Sequence, residues 1–230
     1  MALVVRTWNL FHGRTKPPSG RAHLDRMVSL VSRGADLVAL QEVPVWALAR
    51  LEAWSAMTSV GAVARPPRLA RLGLPLTRLA PDALRSALTG QANALLLAAS
   101  LRPVGRQRIV ELHPRSLRER RVCQLLRIAH GARTVLVANL HATAHAPGIA
   151  RRELALVADL VAGDEPAIVC GDFNARRTGI PGFSDPIDGI DQVLVRGLEL
   201  ERPPAPWEEE RRRFRGRLLS DHAPVEAVVK

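Results

Sequence analysis

Two short segments carry most of the chemistry legible in this chain: Gly171-Asp172-Phe173-Asn174-Ala175 and Ser220-Asp221-His222-Ala223-Pro224-Val225. Each adjoins a run of apolar β-formers, so the acids, the amide and the imidazole fall at strand ends. An aspartate beside a histidine offers one hard oxygen ligand and one imidazole that titrates near neutrality. Phosphoester hydrolysis needs such a set: a cation to offset charge on the phosphate oxygens, a base for water, and donors for the charge that builds in the transition state. Further candidates stand at other strand ends. Asn9 follows Val4 to Trp8 and Glu42 follows Leu37 to Leu40, so adjacent parallel strands would bring both oxygens to one sheet edge. With Asp221 they form an all-oxygen set that favours Mg²⁺ or Mn²⁺ over zinc. His141 ends the run Thr134 to Leu140, and Asp191 precedes Val193-Leu194-Val195, where its carboxylate would hold one nitrogen of His222. Gly171 reads as a tight strand exit that turns Asp172 to the cleft and lets Asn174 reach a phosphate oxygen. Taken singly, Asn9 and Asp191 also read as turn residues, Glu42 as a helix-entry acid and His141 as a satisfied polar residue. Their recurrence at strand ends is what favours a site.

The elements that position these groups follow from hydrophobic period. Val4 to Trp8 predicts a buried strand, His23 to Val31 a helix with Leu24, Met27, Val28 and Val31 on one face, and Leu37 to Leu40 a second strand. This βαβ start implies an α/β architecture. A helix is expected over Val45 to Met57, and the proline- and arginine-rich Arg65 to Pro81 reads as a long surface loop or flap. Ala94 to Ala98, Gln107 to Leu112, Val122 to Ala129 and Thr134 to Leu140 suggest an antiparallel meander. A helix over Ile149 to Val161 and strands at Ala167 to Cys170, Gln192 to Val195 and Val225 to Val229 complete the chain.

The 230 residues, 47% of them apolar, suit a single domain over 1–230. No apolar run of about 18 residues occurs, and no basic flank with a cleavage site follows Met1. The expectation is a cytoplasmic monomer without membrane insertion. Cys123 and Cys170 stand far apart in apolar runs, which implies neither a disulfide framework nor a cysteine metal site. The formal charge of +11 suits a polyanionic partner. A GC-rich coding bias also enriches arginine, of which the chain has 31 against 2 lysines, so the charge tilts the reading toward nucleic acid only modestly. Glu208-Glu209-Glu210 beside Arg211-Arg212-Arg213 reads as a solvated surface segment.

In order, the segments TWNL, LVALQEV, GQANALLL, VANLHAT, AIVCGDFNA, GIDQVLV and SDHAPVEAVV resemble the endonuclease/exonuclease/phosphatase superfamily, from residue 7 to the end of the chain. The resemblance implies a deoxyribonuclease I-like fold: a four-layer α/β sandwich of two packed mixed β-sheets flanked by helices. It implies Asn9 and Glu42 as metal ligands, Asp221 as the acid that supports the metal or the Asp-His dyad, and Asp172 as the residue that orients or deprotonates the attacking water. Asn174 and His141 match phosphate-contacting residues, and Asp191 with His222 the Asp-His pair, with His222 either base or transition-state stabiliser. Some residues depart from the pattern. Phe11 stands where several nuclease members have an acid, and the chain has no tyrosine, unlike the abasic-site enzymes. Asn93 or Arg121 would then take over a phosphate contact, and His12, in the loop after Asn9, reads either as an ordinary loop residue or as one that faces the cleft.

The function implied is Mg²⁺- or Mn²⁺-dependent hydrolysis of a phosphodiester in DNA or RNA. The alternatives are a phosphomonoesterase or phospholipid or inositol-phosphate headgroup hydrolase on the same scaffold, acting on a small phosphoester, and, from another class, an inert nucleic-acid-binding module. An aromatic content of 3% gives little sign of a membrane-contacting loop.

Overall fold

Alternation of side chains along the strands sorts this chain into layers. The computed structural model describes residues 2–67, 89–112 and 120–230. In β1 (Leu3–Asn9) and β3 (Leu37–Val43), Leu3, Val5, Leu37 and Ala39 enter one apolar cluster, while Trp8, Val38 and Leu40 enter another. Between them run β2 (Thr15–Lys16) and α1 (Leu24–Ser32), which buries Leu24, Met27, Val28 and Val31 and is followed by Gly34 at φ 70°. With Arg33 extended, the left-handed Gly34 completes a type II turn closed by Ala35 N–H to Ser32 O at 3.0 Å, a position glycine fills at no steric cost.

The remaining elements are α2 (Leu51–Ser55), β4 (Thr58–Arg65), β5 (Gln91–Leu97), β6 (Arg102–Glu111), β7 (Val122–His130), β8 (Arg133–His141), α3 (Pro147–Leu160), β9 (Ala167–Asp172), β10 (Asp191–Arg196), β11 (Leu200–Pro206), β12 (Arg213–Phe214), β13 (Arg217–Leu219) and β14 (Val225–Val229). They form a six-stranded sheet in the order β11-β14-β1-β3-β5-β4, a five-stranded sheet β10-β9-β8-β7-β6, and a small sheet β12-β13-β2. Both large sheets are mixed: β1 pairs β3 in parallel and β8 pairs β9 in parallel, the other neighbours being antiparallel. One cluster fills the space between the two sheets, a second lies under α1 and α2, and a third under α3. This is the four-layer sandwich expected. Among the described residues no helix is long and apolar enough to cross a membrane.

Several expectations need correction. The helix over Val45 to Met57 divides into a 3-10 segment, Val45–Arg50, and the short α2, which Ala56 ends in the left-handed region. The meander has three strands, β6, β7 and β8; the strand at Ala94 to Ala98 is β5, which pairs with β3 and β4 in the other sheet. Alternation alone does not say which sheet a strand joins. β4 and the proline-bearing β11 escape the sequence reading because edge strands tolerate residues that central strands exclude, and β11 carries two register shifts. Arg65 ends β4, and 68–81 of the expected surface loop lie outside the described residues. Arg212, read as part of a solvated run, is buried and donates to Leu219 O and Ser220 O. Cys123 and Cys170 are free and buried.

Candidate active site

On the inner face of each central strand the apolar series ends in a polar residue at the same rim of the sandwich. β1 runs Leu3, Val5, Thr7, Asn9; β8 runs Val135, Val137, Asn139, His141; β9 runs Ile168, Cys170, Asp172. Register completes the row, since His141 and Asp191 both stand opposite Asp172 on its two neighbouring strands. Asn9 reaches the row from the facing sheet. The apolar positions hold the sheets together, each buried large side chain contributing about 1.5–3 kcal/mol, and their polar successors meet at the rim.

Asp172, 1% exposed, is the hub. Its Oδ2 accepts from Asn9 Nδ2 at 3.0 Å and lies 3.5 Å from His141 Nε2 and 3.8 Å from His222 Nε2, while its Oδ1 accepts the backbone N–H of Asn174 at 3.0 Å. Burial, then the charge of Asp191, pushes its pKa up to about 7, against the opposing pull of His222, Asn9 and the Asn174 N–H. His222 Nδ1 lies 2.8 Å from Asp191 Oδ2. Burial works against the charge on His222, yet that hydrogen bond and the charges of Asp191, Asp172 and Asp221 prevail and raise its pKa to about 10. Its Nδ1–H is therefore held by Asp191 and its Nε2 is turned to Asp172.

His141 is the opposite case. Burial, then the charges of Arg121, His222 and His12, drive its pKa well below the ordinary value, so the ring is neutral. Gln91 Nε2 donates to Nδ1 at 3.1 Å, which leaves the proton on Nε2, the nitrogen facing Asp172 and, at 3.9 Å, Glu42 Oε1. Arg121 Nη1 is 2.7 Å from Nδ1 and 2.9 Å from Nε2. An in-plane approach at those distances would collide with Cε1, so the guanidinium lies across the ring.

Glu42 sits within β3, at a bulge where pairing with β5 shifts between Leu40 and Val43, and has φ 53°. A left-handed residue at a bulge re-aims its side chain, at a cost of roughly 1–2 kcal/mol. Here the carboxylate meets His12 Nε2 at 3.3 Å and, among the described residues, no lysine or arginine within ion-pair distance. Gly171 also differs from its reading. It lies inside β9 at φ 140°, and a Cβ there would come within 2.0 Å of Leu140 O, so it serves close strand approach and not strand exit.

The Asp221-His222 loop is pinned from β1: Ser220 Oγ donates to Asn9 O at 2.7 Å and accepts His222 N–H at 3.1 Å, and Trp8 Nε1 donates to His222 O at 2.9 Å. Asp221 Oδ1 lies 3.9 Å from His222 Nε2, and Oδ2 lies 3.6 Å from Lys16 Nζ.

Contacts thus link Asn9, Glu42, His141, Asp172, Asp191, Asp221 and His222 around one rim, with Arg121 and His12 beside them. Two expected contacts take another form. Asn93 is 1% exposed and donates to Val122 O at 3.2 Å across the sheets, so it braces the sandwich beneath the rim. Asn174 gives one amide hydrogen to Ala142 O at 2.9 Å, which leaves only the second for a ligand. Asn9 turns its nitrogen to Asp172 while its oxygen accepts Phe11 N–H. Among the described residues, one group of three acid and histidine side chains has ligand atoms within 4.8 Å of one another: Asp172, Asp191 and His222. The Asp191–His222 hydrogen bond already engages two of that trio.

Sequence reasoning did not nominate Gln91, Ser220, or the buried pair Gln41 and Asn139, whose 2.8 Å bond joins the two sheets just below the row. For Gln91, Gln41 and Asn139 the signal is a polar residue at an inward position of an apolar strand; Ser220 lies in the bend after β13 and leaves no such signal.

A sequence comparison with curated proteins returns no match. Solved structures match over nearly the whole chain. An endonuclease/exonuclease/phosphatase from Beutenbergia cavernae is 17% identical with a TM-score of 0.76, over 100% of this chain and 71% of that one. A functionally unknown conserved protein from Enterococcus faecalis is 17% identical with a TM-score of 0.75, over 99% of each chain. Truncated TDP2 from Caenorhabditis elegans is 16% identical with a TM-score of 0.70, over 100% of this chain and 97% of that one. At these identities the likeness establishes the fold. The sequence model of the Endonuclease/Exonuclease/phosphatase family matches residues 7–222 and so spans every strand-end residue of the rim, and the chain belongs to that family, whose named activities are hydrolyses of phosphoester bonds.

Proposed function

We propose that this protein is a divalent-metal-dependent phosphodiesterase that cleaves DNA or RNA, acting as a single domain over residues 1–230. The observation that carries the reading is the convergence on Asp172, whose Oδ2 has an amide and an imidazole from two other strand ends, and a second imidazole from the loop before β14, within 3.8 Å. A phosphate at this point meets a proton acceptor and donors from both sheets.

Asp172 orients the attacking water and takes its proton. His222, held through Nδ1 by Asp191, presents Nε2–H to the leaving oxygen, and neutral His141 offers its Nε2–H to a phosphate oxygen. Arg121 and the second amide hydrogen of Asn174 add charge and a donor. Glu42, Asn9 and Asp221 are the residues that would hold a cation. Their fit rests on hard oxygen chemistry and on Asp221 Oδ1, which is buried and, among the described residues, accepts no hydrogen bond. A bound Mg²⁺ or Mn²⁺ would neutralise phosphate charge and make water more acidic. The formal charge of +11 favours a polyanionic substrate over a small one.

Incubation with plasmid, single-stranded DNA, RNA and a chromogenic phosphodiester, with Mg²⁺ or Mn²⁺ or with chelator, tests this. Nucleic acid is expected to be cut only with metal. Chelator-insensitive cleavage would reject the metal role, and intact nucleic acid beside a hydrolysed small ester would reject the nuclease preference. Glu42→Ala should shift the Mg²⁺ titration to higher concentration; an unchanged metal dependence removes Glu42 from the ligand set.

A further inference from the structure

The helix-covered side of the six-stranded sheet carries a surface cavity of about 390 Å³ lined by Arg21, Leu24, Asp25, Trp46, Arg50 and Trp54. We infer that this cavity is a nucleotide subsite, in which a base stacks in the tryptophan corner and its phosphate meets Arg21 and Arg50. The inference rests on the phosphodiesterase reading and adds a strand contact beyond the scissile bond.

Aromatic residues are scarce here, four Trp, four Phe and no Tyr, so two tryptophans at one surface cavity are informative. Packing accounts for Trp8, which is fully buried; Trp46 and Trp54 are only half-buried. Their rings stand edge to face, centroids 6.3 Å apart at 87°, and both line the cavity, which makes an aromatic corner there. Stacking on an aromatic face is tolerant of base identity. Arg21 and Arg50 are exposed against one acid, Asp25, and this balance selects an anion. A quaternary ammonium headgroup would suit the aromatic corner through cation–π attraction, but two arginines oppose it. The volume falls within the range of small-ligand pockets, about 300–1,000 Å³.

Position ties the cavity to the catalytic rim. Trp46 follows Glu42 by four residues of chain, which span at most about 14 Å, the length of about four stacked nucleotides. On the other wall, Gly13 follows His12, the residue that touches Glu42. Gly13 packs so closely on the cavity's flank that a Cβ there would come within 2.7 Å of Leu24 Cγ and 3.0 Å of Ala22 Cβ.

Tryptophan fluorescence in chelator, where turnover is suppressed, reads binding by itself. Adenosine monophosphate and a short single-stranded oligonucleotide should quench it; inorganic phosphate and phosphocholine should not. Trp54→Ala and the surface variant Arg50→Ala should each weaken oligonucleotide binding about 5- to 100-fold, with kcat on the chromogenic diester unchanged. Wild-type affinity in both variants, once circular dichroism shows them folded, overturns the subsite. So does quenching by phosphocholine as strong as by adenosine monophosphate. Quenching without any ester hydrolysis would keep the subsite and sink the phosphodiesterase reading; metal-dependent cleavage without quenching would do the reverse.

Discussion

Asp172 and His222 show how environment divides roles between residues that share a cleft. The carboxyl is pushed up by burial and by Asp191, and the imidazole is charged because Asp191 holds it. Replacing either should remove an acid-base group, and Asp172→Asn or His222→Ala is expected to lower turnover on the order of 10²-fold or more. Steady-state kinetics on the chromogenic diester checks this. A buried acid with a raised pKa is more stable neutral, so the melting temperature of Asp172→Asn in chelator should equal or exceed that of the wild type. Loss of activity together with collapse of the melt would mark Asp172 as structural. These residues were legible because acid, amide and imidazole end apolar runs. The bulge that re-aims Glu42 was not, since a left-handed backbone at a glutamate leaves no trace in residue type.

At the scale of elements, two contacts set how the strands meet. Gly171 lets β9 approach β8 where any side chain would strike Leu140 O. Gly171→Ala is expected to cost about 2–4 kcal/mol, seen as a fall in melting temperature on the order of 10 °C; an unaltered melt would mean the strands can part there. Glu226 on β14 accepts from Arg6, Arg202, Arg211 and Trp207, and Arg6 also donates to Val31 O and Arg33 O at the end of α1. Burial alone would raise the Glu226 pKa, but its hydrogen bond to Arg6 and the charges of Arg6 and Arg211 bring the net value below the ordinary 4.5. A depressed carboxyl stabilises the fold above its unfolded value and ceases to as pH falls through the folded one. Melts taken from pH 6 downward should therefore lose stability below about 4.5, less steeply in Glu226→Gln than in the wild type. Parallel slopes would show that the pair contributes nothing. Strand existence was mostly legible from alternation, whereas β4 and β11 were hidden because edge strands need not alternate.

Across the whole molecule, three apolar layers enclose the sheets and leave polar groups at one rim. Both thiols lie inside: burial pushes Cys123 up to about 12 and Cys170 higher still. Thiolates are the reactive form, so native protein at pH 8 should resist a thiol-specific reagent and release two equivalents only after denaturation. Labelling of the folded protein would reveal opening of the inter-sheet layer or of the layer under α3, where Cys170 and Cys123 respectively sit.

By itself the sequence determined the residue types available for chemistry, the α/β alternation and the order of the motifs, because period and composition are local properties of a chain. Only the tertiary structure decided that β5 leaves the meander for the opposite sheet, that Asp172, Asp191 and His222 draw together while Asn93 turns inward, and that two tryptophans line one surface cavity. Those outcomes depend on which strands pair and in what register, and pairing is settled by the packing of layers distant in sequence.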